Sequence, residues 1–386
     1  MSLYVPASPF DYLPEIYNTI PSTVQDAVSS TVLAASFASL SVRVGSDEFM
    51  NRARIHYSEA LVRTNAALAS PNTAILDSSL LSVLLLGLYE AIAFSGRRSP
   101  ASCTAHTLGA VELIRLRGTK QLETDLGKRL FMQTCNNIRS SCIQRAVAVP
   151  DKFLQLYEKV RPFLDPSIPG VRMGPFVDKL ASFKAWLFQI LPPQSTSAII
   201  HEALQLDKQA QSLEDMLPDN WRFQVTPLHT TPPCAYQLLA HKYPDNSVVR
   251  HWNILRLSRL FLNEVVLRMS AFVAKATEQG MHEILQYCKD VDTAALQAVA
   301  TANRNQLVTD ILSSASHFLD NTDNTFLSSA RFLIWPLTVV SQISHASDPA
   351  RLYAIRCLYD IASQARIPQA LLAARAIETG SSSLDW

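Results

Sequence analysis

Glycine is scarce in this chain: there are ten among 386 residues, where an average protein carries about 7%. Nucleotide-binding α/β folds and all-β folds rely on glycine for tight turns and close backbone approach. Its scarcity disfavours both and favours helices. Paired cysteines are missing too. The six cysteines stand at 103, 135, 142, 234, 288 and 357, and no two have the C-x2-C spacing of a structural zinc site. Most fall inside helical patterns, where a thiol behaves as a small hydrophobe, so a reducing compartment is expected. Charge of one sign is also lacking. Lys+Arg (34) and Asp+Glu (33) leave a net +1, without the basic excess of a free-standing DNA-binding module. No basic residue precedes Arg43, so no secretory signal is visible. The longest apolar run, 80–94, contains Gly87, Tyr89 and Glu90 and falls short of the roughly 18 apolar residues of a membrane span. It is expected to be a core helix, and no membrane contact is expected.

What the chain has is apolar material: 48% of it is hydrophobic and 17% charged, enough for a large core and too little charge for disorder. Its 21 prolines cluster between apolar segments, where they end helices without interrupting them. The pattern predicts an all-α fold, a single large multi-helix domain of packed antiparallel helices over 23–378. An irregular proline- and aromatic-rich lead-in at 1–22 precedes it, and a tail at 379–386 follows. Helical patterning covers 23–68 and then 73–94, with Asp77 in the first turn, favourable at the positive end of the helix dipole.

The segment 105–118 is the best-marked helix. Leu108, Val111 and Ile114 share a face with Ala110 and Leu113 beside them. Arg115 and Arg117 occupy the last turn, and Gly118 takes the position that favours left-handed dihedrals. Gly109 inside this helix costs about 1 kcal/mol against alanine, which predicts a closely approaching neighbour helix. Thr124 is a candidate N-cap for a helix carrying Leu130, Thr134, Ile138 and Cys142 that stops before Pro150. A loop is expected around Pro162, Pro166, Pro169 and Pro175, then helices at 176–191 and 195–216. A second break holds Pro218, Pro227, Pro232, Pro233 and Pro244. The longest helix is predicted over 247–278, where Trp252, Leu255, Arg259, Leu262, Val266, Met269 and Val273 alternate spacings of three and four. Leu257, Phe261 and Val265 widen that stripe, so burial on most sides is expected. Further helices fit 292–319, 326–345, 348–365 and 367–378, and strand signals are weak.

Candidate chemistry is sparse. His201-Glu202 and His282-Glu283 begin a metalloprotease-like H-E-x-x-H, but the fifth positions are Gln205 and Gln286, so both motifs fail and exposed helix faces are expected. The run from Asp320 to Asn324 resembles the aspartate-rich magnesium site of helical terpene cyclases in placing carboxylates at 320 and 323. No second acidic cluster matches it, and a turn with an N-cap is expected instead. Arg115, Arg117, Lys120, Lys128 and Arg129 are interleaved with Glu112, Glu123 and Asp125 and are expected to be solvated surface. No G-x-S-x-G elbow, P-loop or dinucleotide fingerprint is present. No enzyme activity, cofactor or metal is expected. The one chemistry-bearing group is Arg256, Arg259, Asn263 and Glu264, polar residues within or beside the apolar stripe of the longest helix. A buried arginine must be paired, so a polar network with another helix is expected; a small-molecule effector site is the alternative.

The stretch Ala105-His106, Gly109-Ala110, Leu113, Leu116-Arg117-Gly118, Gln121, Thr124, Gly127, Leu130-Phe131, Ile138, Cys142 and Pro150 resembles a fungal-specific transcription factor domain. That is the helical regulatory region of fungal zinc binuclear cluster regulators. Later pieces agree: Trp252-Asn253, Arg256, Arg259 and Leu262-Asn263-Glu264; Ala330-Arg331 and Ile334-Trp335-Pro336-Leu337; Arg356, Leu358, Ile361 and Gln369-Ala370. The resemblance runs over roughly 30–378. It implies an all-α fold that receives signals and contacts partners, and it carries no catalytic residues. Such regulators usually begin with a six-cysteine zinc cluster, and the C-x2-C pairs of that cluster are absent here.

The expectation that follows is a transcription-regulator-like protein without its own DNA-binding domain, nuclear and acting on other transcription regulators or on itself as a homo- or heterodimer. No direct nucleic-acid contact is expected, and a metabolic or secondary-metabolite gene set is the family's usual target. Two alternatives stand beside it. One is a truncated gene model that has lost a zinc-cluster exon; the other is a helical small-molecule-binding protein or enzyme reusing the fold.

Overall fold

A computed structural model of the chain describes residues 10, 12–19, 26–93, 100–189, 195–228, 235–281, 292–319, 330–343 and 348–380. The fold is all-α: among the described residues only two short strands accompany the helices. These residues fall into two units, 10–167 with 366–369, and 168–365 with 370–380. Each is described separately below.

In the amino-terminal unit, α1 (Leu13–Thr19) is a short helix inside the lead-in expected to be irregular. The aromatic ahead of it does dock: the Tyr12 hydroxyl donates to Gln133 Oε1 at 2.7 Å, and the Arg129 guanidinium lies 4.7 Å from its ring centre. The predicted helix over 23–68 is two. Asp26 caps α2 (Ala27–Val44) by accepting from Ser29 N at 2.7 Å, and Gly45, at φ 71°, turns the chain into α3 (Asp47–Leu68). Only a residue tolerant of left-handed dihedrals reverses the chain so tightly. By length and composition alone α2 is apolar enough to cross a membrane. In the fold its alanines Ala34 and Ala38 are wholly buried, with Ala53 of α3 and Tyr89 in the same cluster.

A short α4 (Pro71–Ala74) leads into α5 (Asp77–Ile92), which packs against α2 and α3. Every residue from Ser79 to Leu86 is buried, so α5 is a core helix on all sides, as its composition implied.

The helix α6 (Pro100–Arg117) buries Ala110, Val111, Leu113 and Ile114 but leaves Leu108 42% exposed. At 100° per residue the buried set centres between Ala110 and Ile114, which puts Leu108 and Gly109 on the outer side. A Cβ on Gly109 would meet nothing within 4 Å, so the close approach expected there does not occur. The crowded glycine is Gly127, whose Cβ would fall 1.9 Å from the Gln121 carbonyl oxygen. Arg117, expected at the surface, is 9% exposed and pairs with Asp77. Gly118 is left-handed, at φ 58°, and opens a 3-10 turn to Leu122.

Thr124 caps α7 (Asp125–Arg145) by accepting from Gly127 N at 3.0 Å, and Ala146 ends it at φ 51°. A helix not anticipated, α8 (Asp151–Val160), follows Pro150 and buries Phe153, Leu156, Tyr157 and Val160. Pro150, expected only to stop the preceding helix, stands at the N-terminal boundary of this one, a position proline tolerates.

In the carboxy-terminal unit, α9 (Pro169–Leu187) begins at one of the prolines assigned to a loop and contains a second, Pro175. Next come α10 (Thr196–Asp215), a 3-10 turn at Asp219–Trp221, and an antiparallel hairpin of β1 (Gln224–Pro227) and β2 (Leu239–Lys242). The hairpin pairs Gln224 with Lys242 and Pro227 with Leu239. Asp245 caps α11 (Asn246–Glu278), accepting from Ser247 N at 2.7 Å and Val248 N at 3.0 Å. The unit continues with α12 (Thr293–Leu319), α13 (Arg331–Gln342), α14 (Asp348–Gln364) and, from residue 370, α15 (Pro368–Glu378). The long helix α11 packs against α10 and α12, and β2 lies on α12. Burial of Leu255, Leu257, Leu260, Leu262, Val265, Val266 and Val273 makes α11 the axis of this core, as its wide stripe predicted.

Candidate functional site

Along α11, Trp252, Arg256, Arg259 and Asn263 follow at spacings of four, three and four, so they lie on one helix face. Arg259 reaches α10, where Asp207 and Glu214 stand seven residues apart on a common face. Its Nε donates to Asp207 Oδ1 at 3.0 Å and its Nη1 to Glu214 Oε2 at 3.0 Å. The Asn263 amide donates to the same Asp207 oxygen at 3.1 Å and accepts from Asn303 Nδ2 of α12 at 3.1 Å. Glu264 turns to a different partner, Arg304 of α12, with Oε1 and Nη1 3.6 Å apart. The charged side chains in these pairs are 10–16% exposed. Desolvation of that degree makes the pairs interdependent: each charge is tolerable only while its partner is present.

Arg256 is arranged differently. It is 2% exposed, and its Nη1 donates to the Tyr243 hydroxyl and, at 3.3 Å, to Asn253 Oδ1. Nη2 has no hydrogen-bond partner among the described residues. Among the described residues no carboxylate forms an ion pair with it. Aromatic faces surround the cation instead: Cζ lies 4.7 Å from the Phe223 ring centre, 5.2 Å from Trp252 and 5.8 Å from Tyr243. Ring quadrupoles stabilise a desolvated guanidinium, and Glu214 interacts with it electrostatically without forming an ion pair.

Behind Arg256, His241 Nδ1 sits 3.2 Å from the Tyr243 hydroxyl, and His317 Nδ1 accepts from Tyr243 N at 3.3 Å. Burial, aided by the Arg256 charge, pushes the His241 imidazole down to about 3, so it is neutral at neutral pH. Burial also lowers His317 and raises the Tyr243 phenol. The Glu214 carboxyl is pushed up by its own burial, against the opposing pull of Arg259.

A cleft of about 280 Å³ opens onto this face. Its walls are Glu214 of α10, Arg222 and Phe223 ahead of β1, Trp252, Arg256 and Arg259 of α11, and Leu307 and Asp310 of α12. Among the described residues Arg222 is held by backbone oxygens: Nη2 donates to Asp215 O at 2.9 Å and Nη1 to Glu214 O at 3.4 Å. Asp310 Oδ1 accepts from Gln306 Nε2 at 3.0 Å.

Three of the four residues singled out in the sequence, Arg256, Arg259 and Asn263, come together on one face; Glu264 joins Arg304 instead. Asp207, Glu214, Arg222, Phe223 and Asp310 were not anticipated. The seven-residue spacing of Asp207 and Glu214 on a predicted helix is a signal that could have found that pair. Arg222, Phe223 and Asp310 carry none. His201 is exposed on α10, and His282-Glu283 and the run from Asp320 to Asn324 lie outside the described residues. Among the described residues no group of three or more His, Cys, Asp or Glu is placed to hold a metal. Cys135, Cys142 and Cys357 are buried in helices, while Cys234 and Cys288 and the side chain of Cys103 lie outside the described residues.

Residues 12–145 match the family model described as fungal specific transcription factor domain. The match lies within the amino-terminal unit and takes in the resembling positions from Ala105 to Cys142. Those from Pro150 onward, the α11 face included, lie beyond it. No curated protein and no solved structure matches the chain. The match supports a transcription-regulator-like role.

Proposed function

We propose that this chain regulates transcription in the nucleus through contacts with other proteins, either a DNA-bound regulator or a second copy of itself, and takes no direct part in reading DNA. The observation that carries the proposal is the family match over 12–145. Two features of the sequence favour protein contact over DNA contact: a net charge of +1 and no C-x2-C pair in 386 residues. Affinity for DNA rests on neutralising phosphates with lysine and arginine, and this chain has no excess of either. By the family's habit, the genes served are a metabolic or secondary-metabolite set. No enzymatic step is assigned to it.

Fusing the full chain to a heterologous DNA-binding domain tests the proposal. Reporter transcription should change relative to that domain alone, while the unfused purified chain gives no salt-dependent DNA binding. An unchanged reporter would sink it. A second reading places a zinc cluster upstream of Met1, favoured by the usual order of parts in the regulators this chain resembles. A C-x2-C-x6-C pattern in frame in the upstream genomic DNA would select it.

A further inference from the structure

We propose that the cleft of the carboxy-terminal unit binds a small zwitterion of the amino-acid class, its carboxylate on the Arg222–Arg256 side and its ammonium against Asp310. The half-buried Phe223, on the cleft wall, would lie beside an apolar side chain.

Charge selects the ligand class. Arg259 is saturated by Asp207 and Glu214, whereas the other two guanidiniums on the wall are not. Among the described residues Arg256 leaves Nη2 without a hydrogen-bond partner and has no paired carboxylate, and Arg222 donates its hydrogen bonds to backbone oxygens. The hydrogen bond to the Asp310 carboxylate among the described residues comes from the neutral amide of Gln306. A simple anion entering here would face Asp310 and Glu214; a simple cation would face three arginines. A molecule carrying both charges on one short frame meets complementary groups at each end. The volume, about 280 Å³, lies at the lower end of ligand pockets and suits one small molecule better than a peptide.

The purified full chain is titrated by calorimetry with each standard amino acid. For the best binder, two analogues follow, one lacking the ammonium and one lacking the carboxylate. At least one amino acid should bind, and each analogue should bind about tenfold or more weakly, the loss expected for a charge-assisted hydrogen bond. Arg222→Gln should weaken the amino acid similarly and erase the preference for the carboxylate. Asp310→Asn, which keeps an acceptor for Gln306, should erase the preference for the ammonium. Arg222 is exposed and Asp310 half-buried, and the analogue series on the unaltered chain carries the test without any substitution. No binding by any amino acid up to about 5 mM overturns the proposal, as does binding that neither substitution changes. Binding is read on purified protein, so the result is separate from that of the tethered reporter.

Discussion

Where α2, α3 and α5 meet in the amino-terminal unit, the wholly buried side chains are Ala34, Ala38, Ala53, Ala60, Leu80, Leu81 and Leu85, with Ser82 the uncharged polar one among them. Where α10, α11 and α12 meet in the carboxy-terminal unit, Leu255, Leu260 and Leu262 share the interior with Asp207, Asn253, Arg256, Asn263 and Glu264. The first arrangement lets helices approach over small side chains, and its stability is a sum of many modest apolar contacts. The second sets desolvated charges in a chain of mutual dependence, which is costly to break at any single link. Polar interiors of this sort shape a cleft, and the cleft is in that unit. The family match lies in the other. The part of the molecule that matches a known domain and the part that holds the candidate cleft are therefore different.

The sharpest way to break this contrast is to strand a charge. Arg259→Ala leaves the Asp207 and Glu214 carboxylates without their cation, and should cost about 3–5 kcal/mol in the unfolding free energy from denaturant titration. Replacing Asp207, Glu214 and Arg259 together by apolar residues of similar size should cost far less, because no lone charge remains. Equal losses in the two variants would erase the distinction between the units.

In the amino-terminal unit the comparable injury is steric. Gly127→Ala drives a Cβ into the Gln121 carbonyl and should cost about 1–3 kcal/mol by the same titration. A neutral result would mean that the turn before α7 yields more easily than its geometry implies.

The third test is pH. His241 is held down to about 3 and His251 to about 4, chiefly by burial, below the ordinary imidazole value near 6.5. Below that value the unfolded chain takes up protons that the folded chain refuses. Their contribution to stability is therefore complete above about pH 6.5 and is lost as pH falls toward the folded-state values. The slope should reach up to about 1.4 kcal/mol per pH unit for each histidine. His241→Phe should flatten the acid limb of the carboxy-terminal unit's stability; a limb unchanged by the substitution would contradict the assignment. The smallest effect has the opposite sign: Gly109→Ala, on the open side of α6, should stabilise by about 1 kcal/mol in thermal unfolding.

Helices announced themselves wherever their apolar period was long. The stripe on α11, the Thr124 cap and the all-round apolar run of α5 were legible because local rules act within a few residues. Prolines misled in one region. Pro150 and Pro169 stand at helix starts and Pro175 lies inside α9, so a cluster of breakers concealed α8 and the beginning of α9. Gly109 misled for another reason: helical phase decides whether a glycine faces a neighbour, and the phase of α6 was set by Ala110 and Ile114 more than by Leu108. Of the candidate site, Arg256, Arg259 and Asn263 were visible as polar residues in an apolar stripe. Asp207, Glu214 and Asp310 come from other helices, and Arg222 and Phe223 from a short segment before β1. Their meeting is a product of tertiary packing that no local spacing encodes.

The claim that matters most is that this chain acts on transcription through other proteins. Chromatin immunoprecipitation of the tagged full chain, paired with a DNA-binding titration of the same purified chain, tests it most directly. The account predicts occupancy at defined promoters together with no salt-dependent affinity of the isolated chain for those sequences. Absence from chromatin, or occupancy explained by the chain's own binding to the promoter DNA, would contradict it.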